Sequence, residues 1–263
     1  MAKILTHQKG KSVSCRLYPE ETKLVKAHIF PKWMYEDLKA GSDHLLIVSS
    51  VGDRTKKSRI GLYDPNILSD RAEKHLGQYD SYGATFFRQS LISNHADKNL
   101  ELQVFKNADF DYVKLKTFIL SVLWRASIST MKELKAVDLG SHFEEKLRQN
   151  LLSPNSDIEP FSIVAFRYKP SREIINKEKI FGTPYSSRNE GQKWYHLRIL
   201  DWRVSVKVDR KPVHKEADSF VLKPDNDFIV FIDDFDASSE NMSISKLTKA
   251  FKTRRIRGLA AKS

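Results

Sequence analysis

The sequence has little cysteine and no long hydrophobic run. Cys15 is the single cysteine among 263 residues, which excludes an intramolecular disulfide framework and any metal cluster that needs several thiolates. No apolar run approaches the roughly 20 residues that a membrane-spanning helix requires, so we expect no membrane partner. The first twelve residues lack the apolar stretch of a secretory signal, and we therefore expect a cytoplasmic location.

Several common enzyme motifs are also missing. The chain has no P-loop, no Rossmann glycine pattern and no GxSxG nucleophile motif. What it does have is a core-forming composition, with 40% hydrophobic and 11% aromatic residues. That content is ordinary for a globular protein and argues against global disorder.

The charge is strongly positive. The 45 lysines and arginines exceed the 33 acidic residues and give a formal net charge of +12. Such an excess favours polyanionic partners, because cations that neutralise phosphates release counterions. We therefore expect nucleic acid as a partner, DNA rather than RNA. A protein partner or a homo-oligomer is left open.

The cations are concentrated at the C-terminus, where an acidic stretch (225–240) precedes a basic one (246–263). The pattern predicts a basic helix over Ser243–Gly258. Its apolar positions, expected to face the protein, are Ile244, Leu247, Phe251 and Ile256. The candidate nucleic-acid contacts are Lys246, Lys249, Lys252, Arg254, Arg255 and Arg257. Alternatively, the acidic and basic stretches only pair with each other.

Helical periodicity dominates the first part of the chain. The strongest helix is predicted over Phe110–Ser129, with a wide apolar face. A second amphipathic helix follows over His142–Leu152. Asn66–Leu76 also fits a helix, because apolar residues recur every fourth position there, and Gly77–Gly83 is predicted to break it.

Strands dominate the second part of the chain. Two strands are also predicted in the first part, Thr22–His28 and His44–Ser50. In the second part, the segments that alternate or are β-branched and aromatic are Phe161–Tyr168, Trp194–Ile199, Trp202–Val208, Phe220–Leu222 and Phe228–Ile232. We therefore predict an α+β fold with an α-rich part over 1–153 and a mostly antiparallel, β-rich part over 154–263. A basic C-terminal helix ends the second part.

Three segments carry a more specific pattern. Cys15-Arg-Leu-Tyr18 precedes a predicted strand that ends in His28-Ile-Phe-Pro31, and Asn66-Ile-Leu-Ser69-Asp-Arg-Ala72-Glu73 follows. This pattern resembles the zinc-knuckle form of the HNH, or ββα-metal, endonucleases. That form has CxxC, then a strand ending in [DE]HIxP, then NLxxLCxxC[HNE] at a helix start. The resemblance implies an HNH or treble-clef element near the N-terminus.

The resemblance extends further along the chain. A bacterial group of uncharacterised HNH-like proteins shares the runs that stand here as Leu120–Ser129 (LSVLWRASIS) and Leu139–Arg148 (LGSHFEEKLR). The similarity therefore covers roughly residues 12–150. It implies a role in bacterial or phage defence or in mobile elements.

The resemblance assigns roles to individual residues. His28 stands where the family has its general base, Asn66 where it has the residue that orients the base, and Glu73 where it has a metal ligand. Ala27 replaces the acid that commonly helps to bind the metal. If 66–76 is helical, Asp70 lies on the face of Glu73, and the two carboxylates would suit Mg²⁺ or Mn²⁺.

The knuckle itself has lost three of its four sulfurs. Its positions fall at Cys15, Tyr18, Ser69 and Ala72. Structural zinc needs four tetrahedral nitrogen or sulfur ligands, so we expect no structural zinc. Packing of Tyr18 with Ala72 would then hold the two loops together.

Each site residue also has a purely structural interpretation. His28 would only bond a backbone carbonyl, and Asn66 would cap a helix. Asp70 and Glu73 would belong to a solvated helix face. Arg125, within the apolar helix, would pair with Glu144 or Glu145.

Three functions follow from these observations. The first is a nucleic-acid-binding protein on an HNH-like scaffold without zinc. The second is an active, metal-dependent HNH endonuclease, so the sequence leaves open whether the protein is an enzyme. The third is a non-catalytic subunit whose scaffold serves only assembly.

Overall fold

The computed structural model of the protein describes residues 14–39, 41–49, 55–89, 101–154, 160–169 and 180–234. The described part is an α+β fold. Its strands are β1 (Leu24–His28), β2 (Leu45–Val48), β3 (Thr55–Ser58), β4 (Tyr63–Ser69), β5 (Leu102–Phe105), β6 (Ile163–Tyr168), β7 (Ile180–Gly182), β8 (Tyr185–Asn189), β9 (Gln192–Ile199), β10 (Trp202–Lys207) and β11 (Phe228–Asp233). Its helices are α1 (Lys32–Lys39), α2 (Asp70–Gln89), α3 (Tyr112–Ile128), α4 (Gly140–Leu152) and α5 (Lys215–Asp218).

The N-terminal part contains a ββα unit. Strand β1 pairs with β4 antiparallel, with a bulge between Val25 and Ala27, and α2 begins at the residue after β4. The predicted helix over Asn66–Leu76 is therefore wrong in its first turn, because Asn66 lies on β4. The apolar spacing of four spans the junction: Leu68 is buried on the strand, and Ala72 and Leu76 are buried on the helix.

Helix α2 packs against the central helix α3. The predicted break at Gly77–Gly83 is wrong, because α2 runs unbroken to Gln89. A Cβ at Gly83 would lie 2.7 Å from the ring of Phe118, so the glycine permits close approach of the two helices. The prediction for α3 is confirmed, and its N-terminus is capped by Asp111, whose side chain accepts a hydrogen bond from the Lys114 backbone N–H at 2.9 Å.

The strands form one large and two small sheets. The six-stranded sheet has the order β5-β11-β6-β10-β9-β8 and is antiparallel except for the β6–β11 pair. A three-stranded sheet has the order β3-β2-β7. Both sheets combine strands from either side of residue 153, and buried residues of both parts share one hydrophobic core. The boundary at 153 stays a prediction about folding units.

Most of the predicted strands are confirmed. The exception is Phe220–Leu222, which follows α5 in a turn instead of a strand. The predicted basic helix lies outside the described residues. Within the described residues, no helix combines the length and the apolar character needed to cross a membrane.

Candidate functional site

A cleft of about 740 Å³ opens between α1 and α2 at the end of β1. It is lined among others by His28, Lys32, Trp33, Glu73, Asp80 and Arg88. The ββα unit places them there: His28 ends β1, and Glu73 and Asp80 lie two helical turns apart on one face of α2. Of the predicted catalytic and metal-binding residues, His28 and Glu73 therefore meet in one site.

His28 and Glu73 are joined directly. The backbone N–H of His28 donates to Glu73 Oε1 at 2.7 Å. Burial lowers the pKa of His28, Arg125 lowers it further, and Asp80 opposes the change. Burial raises the pKa of Glu73, against the opposing effects of Arg125 and the His28 N–H. These surroundings disfavour the charged imidazole of His28, and its neutral form is able to accept a proton.

Arg125 lies beneath the cleft with no exposed surface. Its guanidinium makes two bonds to the Asp80 carboxylate, at 2.6 and 3.0 Å, and donates to the backbone carbonyl of His28 at 3.2 Å. The predicted pairing of Arg125 with Glu144 or Glu145 is wrong. Glu144 instead accepts a hydrogen bond from Ser127 Oγ at 2.6 Å. Arg125 therefore connects β1, α2 and α3 at the floor of the cleft.

Two exposed ion pairs and an indole form the rim. Lys32 pairs with Glu36 at 2.9 Å. The Arg88 guanidinium donates two hydrogen bonds to the Asp37 carboxylate, at 2.7 and 2.9 Å. The indole of Trp33 donates to the Asp80 backbone carbonyl at 3.1 Å. The rim thus carries cations next to acids, and both cations remain partly exposed.

Asn66 does not line the cleft. Its backbone N–H and its side-chain amide both donate to Asp64 Oδ1, at 2.9 and 3.2 Å, and the amide also reaches Thr130 Oγ1 at 3.4 Å. Asp64 is fully buried and accepts from Ser129 and Thr130 with its other oxygen. The predicted capping role is wrong too, because Ser69 Oγ accepts the Ala72 N–H of α2 at 3.3 Å.

Asp70 also lies apart from Glu73. Its side chain is 67% exposed and pairs with Lys74 at 2.7 Å. It does not line the cleft, so the helix directs the two carboxylates of this turn to different surroundings. The predicted C-terminal contacts, from Lys246 to Arg257, lie outside the described residues.

The knuckle positions do converge, around one sulfur. Cys15 is buried, and its Sγ accepts hydrogen bonds from the backbone N–H of Tyr18 at 3.4 Å and of Ser69 at 3.3 Å. The Ser69 hydroxyl adds a third contact at 3.4 Å. These weak bonds connect the 15–18 turn to the start of α2. We call this group, Cys15 with Tyr18 and Ser69, the sulfur clip.

Tyr18 extends the clip towards α2 and α4. Its hydroxyl lies 2.9 Å from His75 Nδ1, and His75 Nε2 lies 2.8 Å from the carbonyl of Leu151. A carbonyl only accepts, so Nε2 carries a proton, and in the neutral imidazole Nδ1 then accepts from the Tyr18 hydroxyl. The guanidinium of Arg71 covers the Tyr18 ring at 3.9 Å.

The cleft fits a divalent cation in a limited way. Within the described residues, no three acidic, histidine or cysteine side chains are grouped as metal ligands. Both oxygens of Asp80 are bonded to Arg125, whereas Glu73 uses one oxygen for His28. Mg²⁺ and its like keep several waters and need one or two carboxylates besides substrate phosphates. Glu73 therefore suits a hydrated Mg²⁺ or Mn²⁺, but the cleft offers no cage of protein ligands.

Sequence reasoning missed Asp80 and the α2 residues that follow it into the cleft. The signal was present, because Asp80 lies seven residues after Glu73 and so shares its face on a continuous helix. The predicted break at Gly77–Gly83 hid that relation. Comparison of the chain with protein-family models, with curated proteins and with solved structures found no match.

Proposed function

We propose that the protein binds nucleic acid through an HNH-like scaffold that holds together without zinc, in the cytoplasm and as part of a bacterial or phage defence or mobile-element system. The observation that carries this proposal is the ββα unit, which brings His28 and Glu73 into one cleft, as the family resemblance implies. The net charge of +12 favours the same class of partner.

The cleft has the means to hold a phosphodiester. The side chain of Lys32 is 70% exposed at the rim and that of Arg88 is 47% exposed. Both can leave their acidic partners for a phosphate oxygen, because a surface ion pair contributes little free energy. The neutral imidazole of His28 adds a hydrogen-bond donor without adding charge. DNA is the expected partner, held mainly through its backbone.

A second candidate function is metal-dependent cleavage. The observation that favours it is that His28 and Glu73 line the same cleft, with the His28 main chain bonded to Glu73 Oε1 at 2.7 Å. His28 would accept the proton of the attacking water. Mg²⁺ or Mn²⁺, when bound at Glu73, would stabilise the charge on the phosphate.

Plasmid assays test both functions. Supercoiled plasmid is incubated with the protein in Mg²⁺, Mn²⁺ or EDTA, beside the variants His28→Ala and Glu73→Gln. His44→Ala and Glu20→Gln serve as matched controls, because neither residue lines the cleft. We expect a retarded band that high salt abolishes, since phosphate contacts weaken as salt rises.

The outcomes separate the candidates. Metal-dependent nicking that is lost in His28→Ala and Glu73→Gln, but kept in both controls, would establish the endonuclease. Retardation without nicking in any protein would support the binder alone. Neither nicking nor retardation would overturn both and leave the interaction-subunit alternative.

A further inference from the structure

The six-stranded sheet buries one face, and its other face is open at the edge formed by β5 and β11. On its open face the edge strand β5 exposes Leu102 by 42% and Val104 by 49%. The register places Phe231 beside Leu102 and Ile229 beside Val104, and both are half-buried. These four side chains, together with Phe166 opposite Phe231 on β6, form an apolar surface that we call the β5–β6 face. Contiguous apolar surface of this kind marks a contact site.

The rings on the β5–β6 face are already engaged with each other. Phe231 stacks on Phe166 at 5.2 Å and contacts Phe220 at 4.2 Å. Arg203 covers the Phe166 ring at 4.2 Å. Base stacking on a protein needs free ring faces. The β5–β6 face is therefore suited to an apolar partner rather than to nucleobases.

The chain supplies such a partner. It leaves the sheet at Asp233, the last residue of β11, which is the middle strand of this face, and residues 234–263 follow. In that segment Ile244, Leu247 and Phe251 recur at spacings of three and four, which is a helical apolar stripe. Lys246, Lys249 and Lys252 fall on the opposite side of the same helical pattern.

The geometry of the connection permits the return. Nine residues, 234–242, separate Asp233 from Ser243, and the connection from Asp233 to Ser243 spans up to about 33 Å when extended. Strands β5, β11 and β6 are neighbours, so the face is only about 10 Å wide. A helix is about 10 Å across with its side chains and would cover that width.

We propose that residues 243–257 dock on the β5–β6 face as a helix, with Ile244, Leu247 and Phe251 against Val104, Ile229 and Phe231. The lysines at 246, 249 and 252 then point away from the sheet as a fixed basic ridge. This docking goes beyond nucleic-acid binding and does not require it.

Cysteine pairs in the full-length protein test the docking. Val104→Cys combined with Leu247→Cys should form an intramolecular disulfide, identified by mass spectrometry of the linked peptides. Ile60→Cys with Leu247→Cys is the matched control, because Ile60 is 51% exposed but lies outside the sheet. The native Cys15 is buried and contributes little background.

Thiol labelling gives a second readout. The Val104→Cys thiol should react with a maleimide roughly tenfold more slowly than the same variant carrying Leu247→Asp and Phe251→Asp, a factor that corresponds to about 1.4 kcal/mol of docking free energy. The Ile60→Cys thiol should react at the same rate with and without the aspartates.

Three results would overturn the proposal. Cross-links between 104 and 247 that form only between two molecules would assign the face to a second copy. Val104→Cys labelling that is unaffected by the aspartates but slowed by an oligonucleotide would assign it to nucleic acid. Equal cross-linking of the 104 and 60 pairs would show that the segment has no preferred position.

Discussion

Arg125 and Arg167 are both fully buried, yet their surroundings differ. Every guanidinium nitrogen of Arg125 has an acceptor, supplied by Asp80, the His28 carbonyl and Ser121. Arg167 donates to Gln103 and to Asp201 and stacks over Trp202 at 4.8 Å. Among the described residues, its Nε and Asp201 Oδ1 are buried without a hydrogen-bond partner.

The comparison separates two uses of a buried cation. Burial lowers the pKa of Arg167 and raises the pKa of Asp201. Both shifts are expected for a pair whose protein hydrogen bonds replace only part of the hydrogen bonds that water would make. Arg125 replaces more of its lost hydrogen bonds to water, because it bonds a carboxylate and a main-chain carbonyl from two other elements. Arg125 therefore holds His28 and Asp80 in place at the cleft, whereas Arg167 packs within the six-stranded sheet against Trp202.

The largest expected effect comes from breaking these pairs. Asp80→Asn should lower the free energy of unfolding by about 3–5 kcal/mol, because it leaves the Arg125 charge buried and unpaired. Asp201→Asn should cost less, since the Arg167–Asp201 pair already leaves Arg167 Nε and Asp201 Oδ1 buried without a hydrogen-bond partner. Urea denaturation measures both, with the exposed Asp70→Asn as the control. Equal losses at Asp80 and Asp201 would remove the distinction between the two arginines.

The next effect concerns the helix contact that brings Asp80 to Arg125. Gly83→Ala should destabilise by about 1–3 kcal/mol, because its Cβ would clash with Phe118. Gly77→Ala is the matched control on the same helix. No atom lies within 4 Å of its Cβ position, so it should stabilise by up to about 1 kcal/mol. The same denaturation curves check both, and a stable Gly83→Ala variant would contradict the close approach.

A smaller effect is expected at the sulfur clip, which holds the start of α2 without charge. Ser69→Ala removes the N-cap of α2 and one contact to Cys15, and should cost about 0.5–2 kcal/mol. Ser81→Ala, whose hydroxyl bonds Gly77 O on the exposed side, should cost less. If the two losses in urea denaturation are equal, the clip does not stabilise the start of α2.

The last effect is a pH dependence, which appears only as the solution becomes acidic. Burial, aided by Arg203, lowers the pKa of His196 to about 4. Its ordinary value is 6.5, so the unfolded chain binds the proton first as pH falls. The free energy of unfolding should therefore decrease between about pH 6.5 and 4, and His28 adds a decrease of the same sign. His196→Asn should flatten this slope in urea titrations at successive pH values.

Part of the cleft was predictable because its chemistry is local. The His-Ile-Phe-Pro run placed His28 at a strand end, and the resemblance of 66–73 to the second HNH motif pointed to Glu73. Asn66 was misplaced because an apolar spacing of four fits both a helix and a strand that runs into one. Asp80 was missed because Gly83, an apparent helix breaker, is explained only by Phe118, which is remote in sequence. Partners such as Arg125 and Asp80 are fixed by tertiary packing, which periodicity does not encode.

The ββα unit is interrupted between its two strands. His28 pairs with Tyr63, so residues 29–62, with α1, β2 and β3, form one long loop between paired residues. Closing such a loop carries an entropic cost, and non-local pairings of this kind slow folding. The cleft should thus be assembled late on the folding pathway. Because His28 and Tyr63 already stand opposite each other, the register marks the point at which a tight turn would join the strands directly.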